Sequence, residues 1–182
     1  MAEPLVLKHA PTDPAGRVLY AISRAFAIAG GLVLVALTIM SLVSIAGRAM
    51  LSMPLPGDYE LVQVGCAIAV SAFLPLTQMR GGHVIVDFFT VNARPAVRAA
   101  LDSLGALLLA VCAGVLAWRL GAGAIALEEA NDQTTILALP TWIPVAIMVP
   151  CFALFAATGL HAAWSHWSAR GGDEAPPAGG AG

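Results

Sequence analysis

AFAIAGGLVLVALTIMSLVSI, which runs from Ala25 to Ile45, decides the class of this protein. These 21 residues carry no charged side chain, and about 20 apolar residues are enough for a helix to cross the hydrocarbon core of a bilayer. A surface helix of a soluble protein needs a polar face, which this stretch lacks. Three similar stretches follow, at about Leu61–Met79, Ala99–Trp118 and Thr141–Trp164. The sequence therefore predicts an all-α membrane protein with four transmembrane helices.

The rest of the 182-residue chain leaves little room for a soluble domain. The composition is 59% hydrophobic and 11% charged, and the formal net charge of -2 gives no indication of a nucleic-acid partner. We predict a four-helix transmembrane domain over residues 21–167. The two ends of the chain, residues 1–20 and 168–182, are rich in Pro, Gly and Ala and cannot bury a core. We therefore predict a mobile N-terminal tail and a disordered C-terminal tail, both in the cytoplasm.

The basic residues predict the orientation, because short loops rich in Lys and Arg stay in the cytoplasm. If the N-terminus is inside, only Arg48 and Arg119 fall outside. The basic residues that then share the inner side are Lys8, Arg17, Arg24, Arg80, Arg94, Arg98 and Arg170. We therefore predict that both termini are cytoplasmic and that the protein is a multi-pass protein of the bacterial inner membrane, in contact with lipid.

Small residues indicate where the helices meet. Residues four apart lie on one helix face, and small side chains there let two backbones approach. The predicted ridges are Ala67 and Ser71, Ala106 with Ala110 and Gly114, and Ala153 with Ala157. The stretch Gly121–Leu127 stays apolar, which predicts that the third helix continues past Arg119 as one long, tilted helix.

No pattern of reactive residues points to catalysis or to a cofactor. Each of the three cysteines stands alone on its own span, and the four histidines lie in tails, loops or near span ends. Charged residues deep in a membrane mark ion or substrate paths, yet Glu60 and Asp102 lie near predicted helix starts, where the helix dipole favours acids. The sequence predicts neither an enzyme, nor a cofactor protein, nor a self-sufficient transporter.

Polar motifs stand at the ends of the spans. Gly47-Arg48 closes the first span, and Pro56-Gly-Asp-Tyr-Glu-Leu-Val62 opens the second. Arg80-Gly-Gly-His83 and Val86-Asp87 follow the second span, and Leu137-Ala-Leu-Pro-Thr-Trp-Ile143 opens the fourth. The order and spacing of these motifs make the chain resemble the small membrane subunit of tripartite ATP-independent periplasmic (TRAP) transporters. The resemblance covers roughly Arg17–Trp164.

The resemblance implies a division of labour among three proteins. A large membrane subunit carries the sodium and substrate sites, and a periplasmic binding protein delivers an organic acid. The small subunit is non-catalytic, contacts no substrate directly, scaffolds the large subunit and helps to dock the binding protein. Two other classes stay open: a membrane anchor of a respiratory oxidoreductase, which haem absorbance would reveal, and a small membrane enzyme, which would need buried polar catalytic groups.

The candidate subunit-interface residues are the polar members of these motifs at the ends of the spans: Arg48, Glu60, Arg80, His83 and Asp87. Arg48 and Glu60 flank one outer loop, so we expect them to pair with each other or with a partner subunit. His83 and Asp87 are one turn apart if their segment is helical, and they can then pair. That segment is either a plain basic loop or an ordered interface element.

The orientation can be tested with alkaline phosphatase, which is active only outside the cytoplasm. We expect high activity for a fusion after Asn131 and little for a fusion after Trp167. The reverse pattern would contradict the orientation, whereas equal activity at both sites would contradict the predicted number of spans between them.

Overall fold

Four long helices make up the described part of the chain. The computed structural model describes residues 14–51, 56–80 and 95–170. Its helices are α1 (Pro14–Leu51), α2 (Asp58–Met79), α3 (Pro95–Glu129) and α4 (Trp142–Arg170). All four are long and apolar enough to cross a membrane. Within the described residues, β-structure is limited to one isolated bridge between Gln133 and Pro140. The predicted all-α membrane fold with four helices is therefore confirmed.

The helices are longer than the apolar stretches that revealed them. Helix α1 has 38 residues and α3 has 35, which at 1.5 Å per residue is more than 50 Å for each, against a hydrocarbon core of about 30 Å. Backbone hydrogen bonds continue into polar residues at the ends, where hydropathy gives no signal. Helix α3 continues past Arg119 to Glu129, as the apolar residues after Arg119 predicted.

Packing follows the order α1–α2–α4–α3. Helix α1 lies against α2, α2 against α4, and α4 against α3, whereas α1 and α4 meet over a short stretch. Across the described residues α3 contacts neither α1 nor α2. The two central helices, α2 and α4, bury the largest share of their residues, and α1 buries the smallest. The four helices therefore form a layer with α1 and α3 at its edges rather than a closed bundle.

Small residues make the close contacts between neighbouring helices. Gly30 of α1 faces Ala69 and Ala72 of α2, and a Cβ atom on Gly30 would lie 3.0 Å from that of Ala72. On the other side of the layer, a Cβ atom on Gly159 of α4 would lie 3.0 Å from that of Ala110. Backbones approach this closely only where side chains are absent or tiny, as expected where no hydrophobic force drives helices together.

The predicted small-residue ridges are partly right. Ala106 and Ala110 are buried at the α3–α4 contact, and Ser71 is buried on α2. In contrast, Ala67 and Ala153 are exposed, and a Cβ atom on Gly114 would meet nothing within 4 Å. Alanine is frequent on every face of these helices, so a spacing of four residues does not by itself identify the face that packs.

Two of the hydroxyl groups buried between the helices donate to the backbone of their own helix. Thr158 donates to the carbonyl of Phe155, and Ser71 donates to that of Ile68, each at 2.8 Å. Ser103 of α3 instead donates across the helix contact to the carbonyl of Ala163 on α4, at 3.2 Å. The start of α3 therefore lies beside the end of α4, as an antiparallel hairpin requires.

Gly30 and Gly31 form a matched pair for testing the α1–α2 contact. We expect Gly30→Val to lower the free energy of unfolding by about 1–3 kcal/mol more than Gly31→Val, because overpacking forces the backbones apart. A Cβ atom on Gly31 meets nothing within 4 Å, and both variants change helix propensity alike. Reversible unfolding in mixed detergent micelles measures the difference. Equal destabilisation by the two variants would contradict the close approach of α1 and α2.

Candidate subunit-interface site

The start of α2 and the connection from α3 to α4 meet at one end of the layer. Glu60, in the first turn of α2, is hydrogen-bonded to the backbone of Ile136 and Leu137, which lie between α3 and α4. This end, which we call the clasp end, comprises the last turn of α1, residues 56–61 and residues 130–141. It brings together three of the motifs found in the sequence: Gly47-Arg48, Pro56–Val62 and Leu137–Ile143.

A left-handed glycine precedes α2. Gly57 has φ of +79° and is the residue before the helix. Its carbonyl accepts the N–H of Leu61 at 3.1 Å and so begins the helical hydrogen bonding. A Cβ atom at this position would collide with the side chain of Leu137. Glycine is therefore required twice, by the backbone conformation and by the contact with the α3–α4 connection.

Asp58 joins the end of α1 to the start of α2. Its Oδ2 atom accepts a 2.6 Å hydrogen bond from Ser44 and lies 3.7 Å from Nη2 of Arg48. Ser44 and Arg48 are one helical turn apart, so they present both groups to the same carboxylate. Arg48 is 65% exposed, so this ion pair is screened by water and contributes less than the shorter Ser44 bond.

Glu60 makes a two-pronged contact that we call the Glu60 clasp. Its Oε1 atom accepts the N–H of Ile136 at 2.9 Å, and its Oε2 atom accepts the N–H of Leu137 at 3.1 Å. A carboxylate has two oxygen atoms and can hold two successive amides at once, so the clasp fixes both the position and the direction of this segment.

The α3–α4 connection is also held by its own hydrogen bonds. Thr134 donates its N–H to the carbonyl of Leu139 at 2.9 Å, and Thr141 donates its hydroxyl to Asp132 Oδ2 at 2.7 Å. Asn131 and Ala138 both have φ of +50°. Such a conformation is strained for Ala and persists only where surrounding contacts hold it. The connection is therefore a defined turn that presents a fixed surface.

Comparison with known proteins decides the family. A family model described as the DctQ component of tripartite ATP-independent periplasmic transporters matches residues 37–169. The chain belongs to this family. The match includes the clasp end, most of α1 after Gly30, and all of α2 and α3. No curated protein and no solved structure matches the chain significantly.

The structure places the three described interface residues of this DctQ component at two opposite ends of the layer. Arg48 and Glu60 lie at the clasp end, whereas Arg80 follows the last residue of α2 at the opposite end, where its N–H donates to the carbonyl of Leu76. His83 and Asp87 lie outside the described residues. We expected Arg48 and Glu60 to pair with each other or with a partner subunit. In the structure they do not pair with each other: Arg48 pairs with Asp58, and Glu60 binds backbone amides.

Sequence reasoning missed the partners of these two residues for different reasons. The spacing of Ser44 and Arg48 on one face of α1 was a usable signal, since a hydroxyl and a guanidinium one turn apart converge on one acceptor. The partners of Glu60 are main-chain N–H groups 76 and 77 residues away. Amides carry no residue-type signature, so no pattern in the sequence identifies them.

The Glu60 clasp predicts faster amide exchange when its second acceptor is lost. We expect Glu60→Gln to expose the amides of Ile136 and Leu137 to exchange, because a side-chain amide offers one carbonyl oxygen instead of two. Hydrogen–deuterium exchange of peptides covering residues 130–141 measures this. Glu128→Gln is the control, since Glu128 is an exposed acid near the same end. Unchanged exchange in Glu60→Gln would contradict the clasp.

Proposed function

We propose that this DctQ component is the non-catalytic small membrane subunit of a sodium-coupled TRAP transporter for an organic acid in the bacterial inner membrane. On this proposal it scaffolds the large membrane subunit and helps to dock the periplasmic binding protein. The observation that carries the proposal is the family match over residues 37–169. The large subunit moves solute and sodium, and the solute does not touch this chain.

The edge helices support a scaffolding role. Helix α1 presents a row of exposed apolar side chains that includes Leu32 at 65%, Ile39 at 57% and Leu42 at 62% exposure. Helix α3 likewise exposes Leu108 and Val111. In a membrane such faces suit either lipid or another apolar helix. An open layer with two such edges can lie alongside a larger subunit without rearranging its own helix contacts.

The clasp end supports a docking role. Its turn is fixed by the Glu60 clasp and by internal hydrogen bonds, so a partner would not have to order it on binding. The nearby acids Glu128, Glu129 and Asp132 are exposed. Facing surfaces of two proteins are arranged with opposite charge, so we propose that the binding protein presents basic residues to this end. This role requires the clasp end to face the periplasm, as the distribution of Lys and Arg predicts.

The candidate interface residues remain part of the proposal. On this view Arg48 and Glu60 act at the clasp end, the first through Asp58 and the second by positioning the α3–α4 connection. Arg80 is exposed at the opposite end, where it can reach the large subunit. His83 and Asp87 are proposed to contribute to the same inner contact as Arg80.

The central test is reconstitution into proteoliposomes with a sodium gradient and a panel of labelled carboxylic acids. We expect no uptake with this chain alone, and uptake when the large subunit and the binding protein are added. The chain carries no charged residue at the middle of its predicted spans, and such groups are what ion and substrate paths use. Uptake by this chain alone would overturn the assignment as a non-transporting subunit.

A second test asks whether the interface residues affect assembly or solute choice. We expect Glu60→Ala and Arg80→Ala to reduce recovery of the large subunit in co-purification or to slow uptake of every solute in the same proportion. Arg119→Ala is the matched control, because Arg119 is an exposed arginine outside the motifs. A changed order of preference among solutes with the complex intact would show that this chain contacts substrate.

A further inference from the structure

An apolar groove separates α2 from α4 next to the clasp end. Its volume is about 170 Å³. The side chains that line its walls are Leu61, Val64 and Ile68 from α2, and Ile143, Pro144 and Ile147 from α4. Leu139 and Pro140 of the α3–α4 connection lie over one end. Ile147 is 46% exposed, so the groove is open to the surroundings along one side.

The groove is bounded at both ends by contacts between the two halves of the protein. At one end the Glu60 clasp ties α2 to the α3–α4 connection. At the other end, one helical turn beyond Ile68 and Ile147, Ser71 of α2 and Cys151 of α4 are both buried where the two helices pack together. Because contacts above and below fix the two helices, the groove between them is held open by the fold itself.

We propose that this groove binds one acyl chain of a phospholipid from the leaflet next to the clasp end. Both walls belong to helices that can span a membrane, so hydrocarbon is the medium that reaches the open side. From Glu60 to Ile68 the groove runs eight residues along α2, or about 12 Å. One leaflet of the hydrocarbon core is about 15 Å thick. The groove therefore matches the length and the direction of an acyl chain.

A transmembrane helix of a partner does not fit this space. A helix with side chains is about 10 Å wide, so a 12 Å length of it needs roughly 900 Å³, more than the 540 Å³ or so that is free of protein atoms in the groove and along its open side. The rim offers an acid and a hydroxyl, Glu60 and Thr134, and no lining residue is basic. Nothing in the lining attracts a phosphate, so the acyl chain and not the headgroup drives binding.

The site can be tested with phospholipids that carry a diazirine in the middle of one acyl chain. The protein is reconstituted both as the full chain alone and as the assembled transporter, then irradiated and mapped by peptide mass spectrometry. We expect several-fold more adduct on Val64, Ile68 and Ile147 than on Ile39, which is exposed on α1. We also expect equal labelling by phosphatidylethanolamine and phosphatidylglycerol, because the rim has no cation.

A groove-filling variant provides the second readout. We expect Val64→Phe to reduce adducts at Ile147, whereas Val70→Phe, at a position 58% exposed on the same helix, leaves them unchanged. If adducts in the groove of the original chain are no more frequent than adducts at Ile39, the proposal is overturned. This comparison does not depend on whether Val64→Phe folds. Labelling that disappears in the assembled transporter would show that a protein segment fills the groove instead. Labelling that needs phosphatidylglycerol would make the site electrostatic and would also overturn it.

Discussion

The carboxylate of Glu60 joins parts of the chain that lie 76 and 77 residues apart. The first turn of α2 fixes the position of Glu60. The two oxygen atoms of its carboxylate accept hydrogen bonds from two successive amides of the α3–α4 connection. Gly57 beside it has no side chain and so lets Leu137 pack against the backbone. The clasp sets where the turn at residues 130–141 lies against α2, and with it the rim of the apolar groove, while the turn's own hydrogen bonds hold its shape.

The membrane imposes the second constraint. Helices in lipid gain little from burying apolar surface, so close packing through small residues takes the place of the hydrophobic effect. Gly30 against Ala72 and Gly159 against Ala110 are contacts of this kind. They explain how a layer of four helices holds together while α1 leaves most of its surface uncovered. The exposed apolar side chains of α1 are no defect in such a protein, since lipid or a neighbouring helix covers them.

The four helices were predictable because about 20 apolar residues in a row have few other structures open to them. The continuation of α3 past Arg119 was visible for the same reason. The order of packing was not, since glycine and alanine occur on all faces and only some of them, such as Ala110, meet a partner. At the candidate site the motifs around Glu60 and Leu137 were found as separate segments. Their contact depends on main-chain amides and on a left-handed Gly57, which the residue types alone do not reveal.

The layer order has a consequence for how the protein is made. Helices α1 and α2 are consecutive and pack together, and so are α3 and α4. Each pair can therefore assemble as a unit while the ribosome is still synthesising the remainder. The Glu60 clasp can close only after Leu137 has been synthesised, so it forms later than the contact between α1 and α2 can form. We therefore expect the two helix pairs to form first and the Glu60 clasp to join them afterwards.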